Sequence, residues 1–317
     1  MFLNSIKFVT NQNTKKLNLL YITWNFSPSV VPSWDIPRWY GLMWLLGYLI
    51  GLKILERMFK HEKVPMEWAD KTFMYVLLGG ILGARLGHCL FYDWAYYSQN
   101  PIEILYIWQG GLASHGGAVG ILIAAYLLSK KVTKKPMLWI IDRIAVPTAF
   151  AGGLIRLGNL FNSEIVGKET TSSLGFKFIR HDIPADWAMS KTGTTTANEA
   201  YDAIANNPSF AHVLASVPVR YPSQLIEAIA YFLIFVIMMY LYWKTNAKNL
   251  LGFLVGAFFV LVFGARFFIE FLKIDQGGTD TNLGLLNMGQ ILSIPLVLVG
   301  LFLVIKHLKS FKLNKNA

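Results

Sequence analysis

The chain has 317 residues, 54% of them hydrophobic and only 15% charged, with a formal net charge of +11. That balance excludes an ordinary water-soluble α/β enzyme and is the profile of a polytopic membrane protein. No soluble basic domain carries the positive excess, so membrane lipid of negative charge is the implied partner and nucleic acid is not.

Residues 1–33 are polar and mixed, without a sustained apolar core, and are predicted to form a loosely held N-terminal extension, not a signal peptide. The first span runs from Trp39 to about Leu55 and opens on Trp39-Tyr40-Gly41. It is short for a bilayer unless its flanks contribute, since roughly 20 apolar residues are needed. Lys53, Arg57, Lys60, Lys63 and Lys71 precede a second span, about Thr72 to Tyr92, which holds Arg85 and His88 among Gly79, Gly80, Gly83 and Gly87. An arginine in mid-span must face protein or water. The lone cysteine, Cys89, sits in this apolar run, which excludes an internal disulfide and a cysteine-cluster metal site and marks it as packing.

Pro101 opens a segment in which Gly110, Gly111, Gly116 and Gly117 surround His115. Such a run predicts backbone packed tightly against a neighbour, as in a re-entrant or broken helix, ahead of a third span ending near Leu128. Lys130, Lys131, Lys134 and Lys135 form the next loop. The fourth span starts at Pro136, with Asp142 and Arg143 near its start as an interfacial pair, and ends in Ala151 to Gly167, AGGLIRLGNLFNSEIVG. Arg156, Asn159, Asn162 and Glu164 are costly at membrane depth and therefore candidate site residues. If the helix continues, Arg156 and Asn159 share one face, and Gly152, Gly153 and Gly158 leave room for another backbone or a ligand headgroup. The bland alternative is a helix end with Arg156 snorkelling to water.

Hydrophobicity collapses between Asn162 and Pro222, a soluble insertion too short for a large core of its own. The fifth span carries Glu227 in its first turn, where a carboxylate suits the helix dipole. The sixth, Leu250 to Leu272, ends on Arg266 and Glu270, an i, i+4 pair. A hydrophilic loop from Asp275 to Asn287 precedes Met288-Gly289-Gln290 and a seventh span to about Ile305, followed by Lys306, Lys309, Lys312 and Lys315.

The fold class is therefore an all-α polytopic membrane protein of about seven transmembrane helices with a small extracytoplasmic head insertion. Its divisions are an extension at 1–33, helices 1 to 4 at 34–162, the head at 163–221, helices 5 to 7 at 222–308 and a basic tail at 309–317. The lysine-rich loops and tail belong in the cytoplasm by the positive-inside rule, which puts the N-terminus and the head outside. No internal repeat is evident, against an inverted-repeat transporter.

This topology gathers Tyr40, His115, Arg156, Asn159, Arg266 and Glu270 at a similar depth. Two guanidinium forks suit a phosphodiester, a neutral histidine suits a proton acceptor near pH 7, and a basic pocket between helices suits an anionic phospholipid headgroup. Taken singly, each has a plainer reading: His115 as a packing histidine, Arg266 with Glu270 as a structural ion pair, Arg85 as a link between helices.

Several blocks together make the chain resemble the bacterial phosphatidylglycerol–prolipoprotein diacylglyceryl transferases, from Trp39 to Ile305. The most specific is Arg156-Leu157-Gly158-Asn159-Leu160-Phe161-Asn162-Ser163-Glu164 with Gly167, similar to a family signature G-R-x-G-N-[FL]-x-N-x-E-x-x-G. Others are Trp39-Tyr40-Gly41, Gly83-Ala84-Arg85-Leu86-Gly87, His115-Gly116-Gly117, Pro222-Ser223-Gln224 with Glu227, Arg266 with Glu270, and Met288-Gly289-Gln290. Ile155, Tyr221 and Lys273 depart from the pattern, where Gly, His and Arg are usual.

The resemblance implies transfer of a diacylglyceryl group from phosphatidylglycerol to the lipobox cysteine of a preprolipoprotein in the bacterial cytoplasmic (inner) membrane. It implies Arg156 and Arg266 on the phosphate, with Asn159, Glu164, Gly167 and Arg85 completing the phosphatidylglycerol site. His115 is the favoured base, with Tyr40 and Glu270 orienting it, and Glu270 or water is a rival base. No metal or redox cofactor is indicated. Two other classes compete: a transporter or lipid-binding scaffold tolerates loss of His115, and a structural subunit tolerates loss of Arg156 too.

Overall fold

A computed structural model describes residues 21–34, 36–274 and 286–313. The extension before Tyr21, the hydrophilic loop at 275–285 and Lys315 of the tail lie outside the described residues. In chain order the elements are β1 (Tyr21–Trp24), α1 (Trp39–His61), α2 (Glu67–Phe91), α3 (Trp94–Tyr97), α4 (Ser114–Leu127), α5 (Met137–Phe161), β2 (Gly175–Phe178), α6 (Ile179–Asp182), α7 (Ala185–Thr192), α8 (Ala197–Asn206), α9 (Ala211–Ser216), α10 (Ser223–Lys244), α11 (Phe253–Ile269) and α12 (Met288–Ile305).

Six helical segments are long and apolar enough to cross a membrane: α2, α4 with the turn after it, α5, α10, α11 with the turn after it, and α12. The chain is an all-α, multi-pass membrane protein. Helix α1 has the length, 23 residues, and runs six residues beyond the expected Leu55. Trp39, Tyr40, Trp44, Tyr48 and the Lys53–Glu56 ion pair at 2.8 Å make it less apolar than the other six.

The described residues divide into two compact units. One takes Leu49–Pro147, Met239–Gly256 and the chain from Leu303; the other takes the chain up to Tyr48, Thr148–Met238 and Ala257–Phe302.

In the first unit α2 and α4 meet along a seam of glycines. A Cβ on Gly83 would lie 2.4 Å from Gly116 O, and one on Gly79 would lie 2.7 Å from Gly120 O. Small residues at four-residue spacing let backbones touch where lipid gives no hydrophobic drive to associate. Ahead of α4 the chain makes two 3₁₀ turns, Pro101–Leu105 and Ile107–Gln109, and Gly110 and Gly111 end them at φ 87° and 69°. The helix before α4 is therefore broken, as the glycine run implies.

Asp142 and Arg143 do not pair with each other. Asp142 accepts hydrogen bonds from Gly252 N (2.7 Å) and Val255 N (2.9 Å) and so caps the start of α11, where first-turn amides lack partners. Arg143 donates to Glu62 Oε1 and Oε2 (3.1 and 2.9 Å), lies over the Trp139 ring and bonds Lys248 O. Neighbours in sequence on a helix point about 100° apart, so each takes a partner of its own.

In the second unit the extension is not loose from Tyr21 onward. Strand β1 pairs in parallel with β2, Tyr21 opposite Gly175 and Trp24 opposite Phe178. The Trp24 indole donates to Leu160 O at 3.0 Å, and Trp24 stacks on Phe26 and Phe161. Lys177 on β2 is buried, donates to Leu214 O and sits over the Tyr21 ring; that burial pushes its ammonium pKa down.

The insertion is helical, with a small core that includes Ile179, Ile183, Ala200, Ile204, Val213 and Val217. Its polar Lys191–Thr196 run is helix punctuation: Gly193, at φ 71°, closes α7, and Thr196 Oγ1 accepts from Glu199 N to open α8. Arg220 closes the head on itself with a forked pair to Asp182, 3.0 Å from Nε and 2.6 Å from Nη2.

Candidate active site at the ends of α5, α10 and α11

Three helices of the second unit each bring two residues one turn apart: Gly152 and Arg156 on α5, Glu227 and Tyr231 on α10, Arg266 and Glu270 at the end of α11. Glu227 is fully buried and holds two cations, Lys273 Nζ at 2.8 Å on Oε1 and Arg156 Nε at 3.1 Å from Oε2. Lys273 Nζ also lies 3.3 Å from Glu270 Oε2. Two carboxylates and two cations thus balance. A buried cluster of this kind holds only while all its members are present, since one charge left alone is expensive.

The expected Arg266–Glu270 pair does not form among the described residues. Helix α11 tightens to a 3₁₀ turn at Glu270–Leu272, and in a 3₁₀ turn residues i and i+3 eclipse. Glu270 therefore faces Lys273 and leaves Arg266. Its carboxylate also presses on the start of α12, where a Cβ on Gly289 would lie 2.7 Å from Glu270 Cδ. That end of α12 is a reciprocal cap: Asn287 Oδ1 accepts from Gln290 N and Gln290 Oε1 accepts from Asn287 N, both at 3.0 Å. Arg266 itself is half-buried and has no hydrogen bond or ion pair to the described residues.

Arg156 Nη1 reaches Asn159 Oδ1 at 3.3 Å, confirming the shared face. Asn159 Nδ2 in turn donates to Glu164 Oε1 at 2.8 Å, with Asn162 Nδ2 on the same oxygen at 3.2 Å. Glu164 is thus a hub for amide donors rather than an ion-pair partner. The loop after α5 turns through Ser163 and Ile165, both at positive φ, a conformation costly for a β-branched residue and held only by its surroundings. Those surroundings come from α10: Gln224 Nε2 donates to Glu164 O at 2.6 Å and Ser223 Oγ to Ile165 O at 2.7 Å.

Gly167 then threads between Tyr221 and Leu272, donating to Tyr221 O at 2.9 Å. A Cβ there would lie 2.5 Å from Tyr221 O and 2.9 Å from Leu272 O, which are backbone atoms with no freedom to swing aside. Gly167→Ala is expected to cost about 1–3 kcal/mol, the range for overpacking. Denaturant unfolding in detergent checks this; a variant as stable as the parent removes the close approach from the account.

The three glycines of the α5 stretch admit aromatic rings, and at Gly158 the backbone of α1 comes close as well, Tyr40 Cα lying 3.1 Å from where a Cβ would be. A Cβ on Gly152 would lie 3.1 Å from Tyr231 Cδ2, one on Gly153 2.7 Å from Phe232 Cε1, and one on Gly158 2.9 Å from Tyr40 Cδ2. Tyr40 is half-buried and held to α5 by that slot.

Arg85 and His115 belong to the other unit. Arg85 is 2% exposed and its guanidinium donates to Glu103 O, Ile104 O, Gly110 O and Gly111 O. Its face lies over the Tyr97 ring. With its guanidinium on four carbonyls it staples the broken segment before α4. His115, in the first turn of α4, is exposed and has no side-chain partner among the described residues. No group of three His, Cys, Asp or Glu among the described residues is placed to hold a metal ion.

The family model described as prolipoprotein diacylglyceryl transferase matches residues 31–306. The chain belongs to the prolipoprotein diacylglyceryl transferase family. Proteins named phosphatidylglycerol–prolipoprotein diacylglyceryl transferase are similar along nearly the whole chain. That of Porphyromonas gingivalis is 42% identical over 298 residues, covering 92% of this chain and 96% of the relative. That of Chloroherpeton thalassium is 40% identical over 298 residues, 94% and 98% covered, and that of Bacteroides fragilis 36% over 297 residues, 90% and 94% covered.

For a prolipoprotein diacylglyceryl transferase, two members of this cluster escape a reading of the sequence. Glu227 reads as a helix-dipole carboxylate and is instead the centre of the charge cluster. Lys273 reads only as a departure from the family pattern, where Arg is usual, and is a buried bridge, 3% exposed.

Proposed function

We propose that the protein transfers the diacylglyceryl group of phosphatidylglycerol to the lipobox cysteine thiol of preprolipoproteins, the first step of lipoprotein maturation. Family membership supplies the reaction class. The observation that carries the site is Arg266: a permanently charged fork at the end of an apolar helix, beside a cluster whose charges already balance, with no described partner of its own. A half-buried guanidinium in that position calls for an anion, and a phosphodiester matches its geometry.

In the reaction a base takes the thiol proton, the thiolate forms a C–S bond at the glycerol carbon bearing the phosphodiester oxygen, and the C–O bond breaks. Glycerol phosphate leaves with the electron pair. Its phosphate passes from one negative charge toward two, so Arg266, with Arg156 on the other side, binds the transition state better than the substrate. Arg156 is anchored by Glu227 and Asn159, which fixes its fork; Asn159, Glu164 and Gly167 shape the loop that closes the headgroup site. His115, exposed and with no side-chain partner among the described residues, takes the thiol proton. Glu270, whose Oε2 lies 3.3 Å from Lys273 Nζ, is the rival acceptor.

The distribution of lysines supports a bacterial cytoplasmic membrane location, with the C-terminus cytoplasmic and the head and N-terminus outside. The test is a proteoliposome assay with phosphatidylglycerol and a lipobox peptide, following glycerol phosphate. Release is expected to require the peptide cysteine and to fall about 10²–10⁴-fold in His115→Gln, the usual worth of a general base. Folded protein that binds phosphatidylglycerol and releases nothing is a lipid-binding carrier, and the transferase reading is then lost.

A further inference from the structure

Three basic side chains of the first unit converge on one indole. Arg57 and His61 stand one turn apart at the end of α1, and both meet Trp243 at the end of α10. The Arg57 guanidinium carbon lies 5.8 Å from the indole centroid, and the His61 ring meets it edge on at 4.6 Å. Lys248, in the turn after α10, completes the group: its Nζ lies 2.7 Å from His61 Nε2 and 5.5 Å from the centroid of the Tyr242 ring. An ammonium has only hydrogens to give, so Nε2 accepts. The neighbouring carboxylate, Glu62, is already taken. Its Oε1 accepts from the Tyr242 hydroxyl at 2.6 Å and from Arg143 Nε at 3.1 Å, and its Oε2 accepts from Arg143 Nη2 at 2.9 Å. No ion pair among the described residues includes Arg57, His61 or Lys248.

Cations near a helix C-terminus offset its dipole, and that accounts for Arg57 on the last turns of α1. It does not account for Lys248, which lies beyond the end of α10 and is turned onto another base. Aromatic faces hold both cations in place, so the group is preorganised for an anion that it lacks. The surface beside it is apolar on both helices: Ile50, two turns before Arg57 on the same face of α1, is 37% exposed, and Tyr240, one turn before Trp243, is 52% exposed. We propose that Arg57, His61 and Lys248 bind the phosphate of an anionic phospholipid at the lysine-rich face of the membrane, with its acyl chains along Ile50 and Tyr240. The guanidinium fork and the ammonium suit phosphate oxygens, and a basic pocket between helix ends suits a lipid of net negative charge. A zwitterionic headgroup would bring its own cation against the same charges. The site uses no residue of the cluster around Glu227 and does not rest on the transferase reading.

The test is a titration of the full-length protein in neutral detergent with phosphatidylserine, with bound lipid counted by native mass spectrometry. Phosphatidylserine is anionic and is not the donor lipid of the transfer reaction, so the candidate active site does not dominate the count. Arg57→Gln and Lys248→Gln are each expected to weaken binding about fivefold, and the double variant more than about tenfold, the usual worth of basic residues at a lipid surface. Lys248→Arg keeps the charge and is expected to bind within about twofold of wild type, which separates lost charge from lost fold. Lys60→Gln with Lys63→Gln removes two exposed charges from the same end of α1 outside the group, and is expected to change binding less than about twofold. An equal loss in that pair overturns the inference by assigning the binding to diffuse surface charge. A double variant of Arg57 and Lys248 that binds like wild type overturns it outright, as does phosphatidylcholine bound as tightly as phosphatidylserine. Inorganic phosphate that binds with the same dependence on Arg57 and Lys248, while phosphatidylserine does not bind, overturns the lipid assignment.

Discussion

Arg266→Ala is expected to lower thiol-dependent glycerol phosphate release by about 10²–10³-fold, the usual cost of removing one donor aimed at developing charge. Stability is expected to change little. The reason lies in what the guanidinium does not touch: no described carboxylate depends on it, so its loss strands no buried charge. Arg266→Lys keeps the charge, loses the planar fork, and is expected to fall between the two. Rates in proteoliposomes and unfolding midpoints in detergent, measured on the same preparations, check both halves. An Arg266→Ala protein that unfolds as readily as it loses activity would show that the residue holds the fold, and the phosphate assignment would go with it.

Glu227→Gln is the opposite case. The carboxylate is fully buried between Arg156 and Lys273, so neutralising it leaves Lys273 to Glu270 and Arg156 with no carboxylate partner among the described residues. Breaking a buried pair from one side typically costs about 3–5 kcal/mol, because the charge left behind can reach no water. The double variant Glu227→Gln with Lys273→Met removes one charge of each sign and is expected to recover much of that loss. Chemical unfolding of the single and double variants, read as a double-mutant cycle, measures the coupling. Two additive effects would mean that Glu227 and Lys273 do not share an ion pair that matters.

The spans and the family were legible in the sequence because they rest on local quantities. A run of apolar residues announces a membrane helix wherever it folds, and Arg156 or Arg266 in such a run announces a constraint. Partners were less legible. Whether Glu270 faces Arg266 or Lys273 turns on a change from α to 3₁₀ winding at one residue, which periodicity does not show. The ring-filled slots at Gly152, Gly153 and Gly158 look in sequence like vacancies, since glycine marks close approach without saying what approaches. Asp142 and Arg143 looked paired only because they are adjacent. The carbonyl partners of Arg85 lie in a segment whose turns no motif specifies. Strand β1 is four residues long and its partner is encoded far downstream.

That strand also counts crossings. Tyr21–Trp24 and Gly175–Phe178 are hydrogen-bonded to one another, so they must lie on the same face of the membrane. An even number of passes therefore separates them. Helices α2, α4 and α5 supply three, which is odd, and among the described residues the only other long helix between the strands is α1. Parity requires α1 to cross as well, although its tryptophans, tyrosines and charged pair leave it the least apolar of the set. With α10, α11 and α12 the tally among the described residues becomes odd.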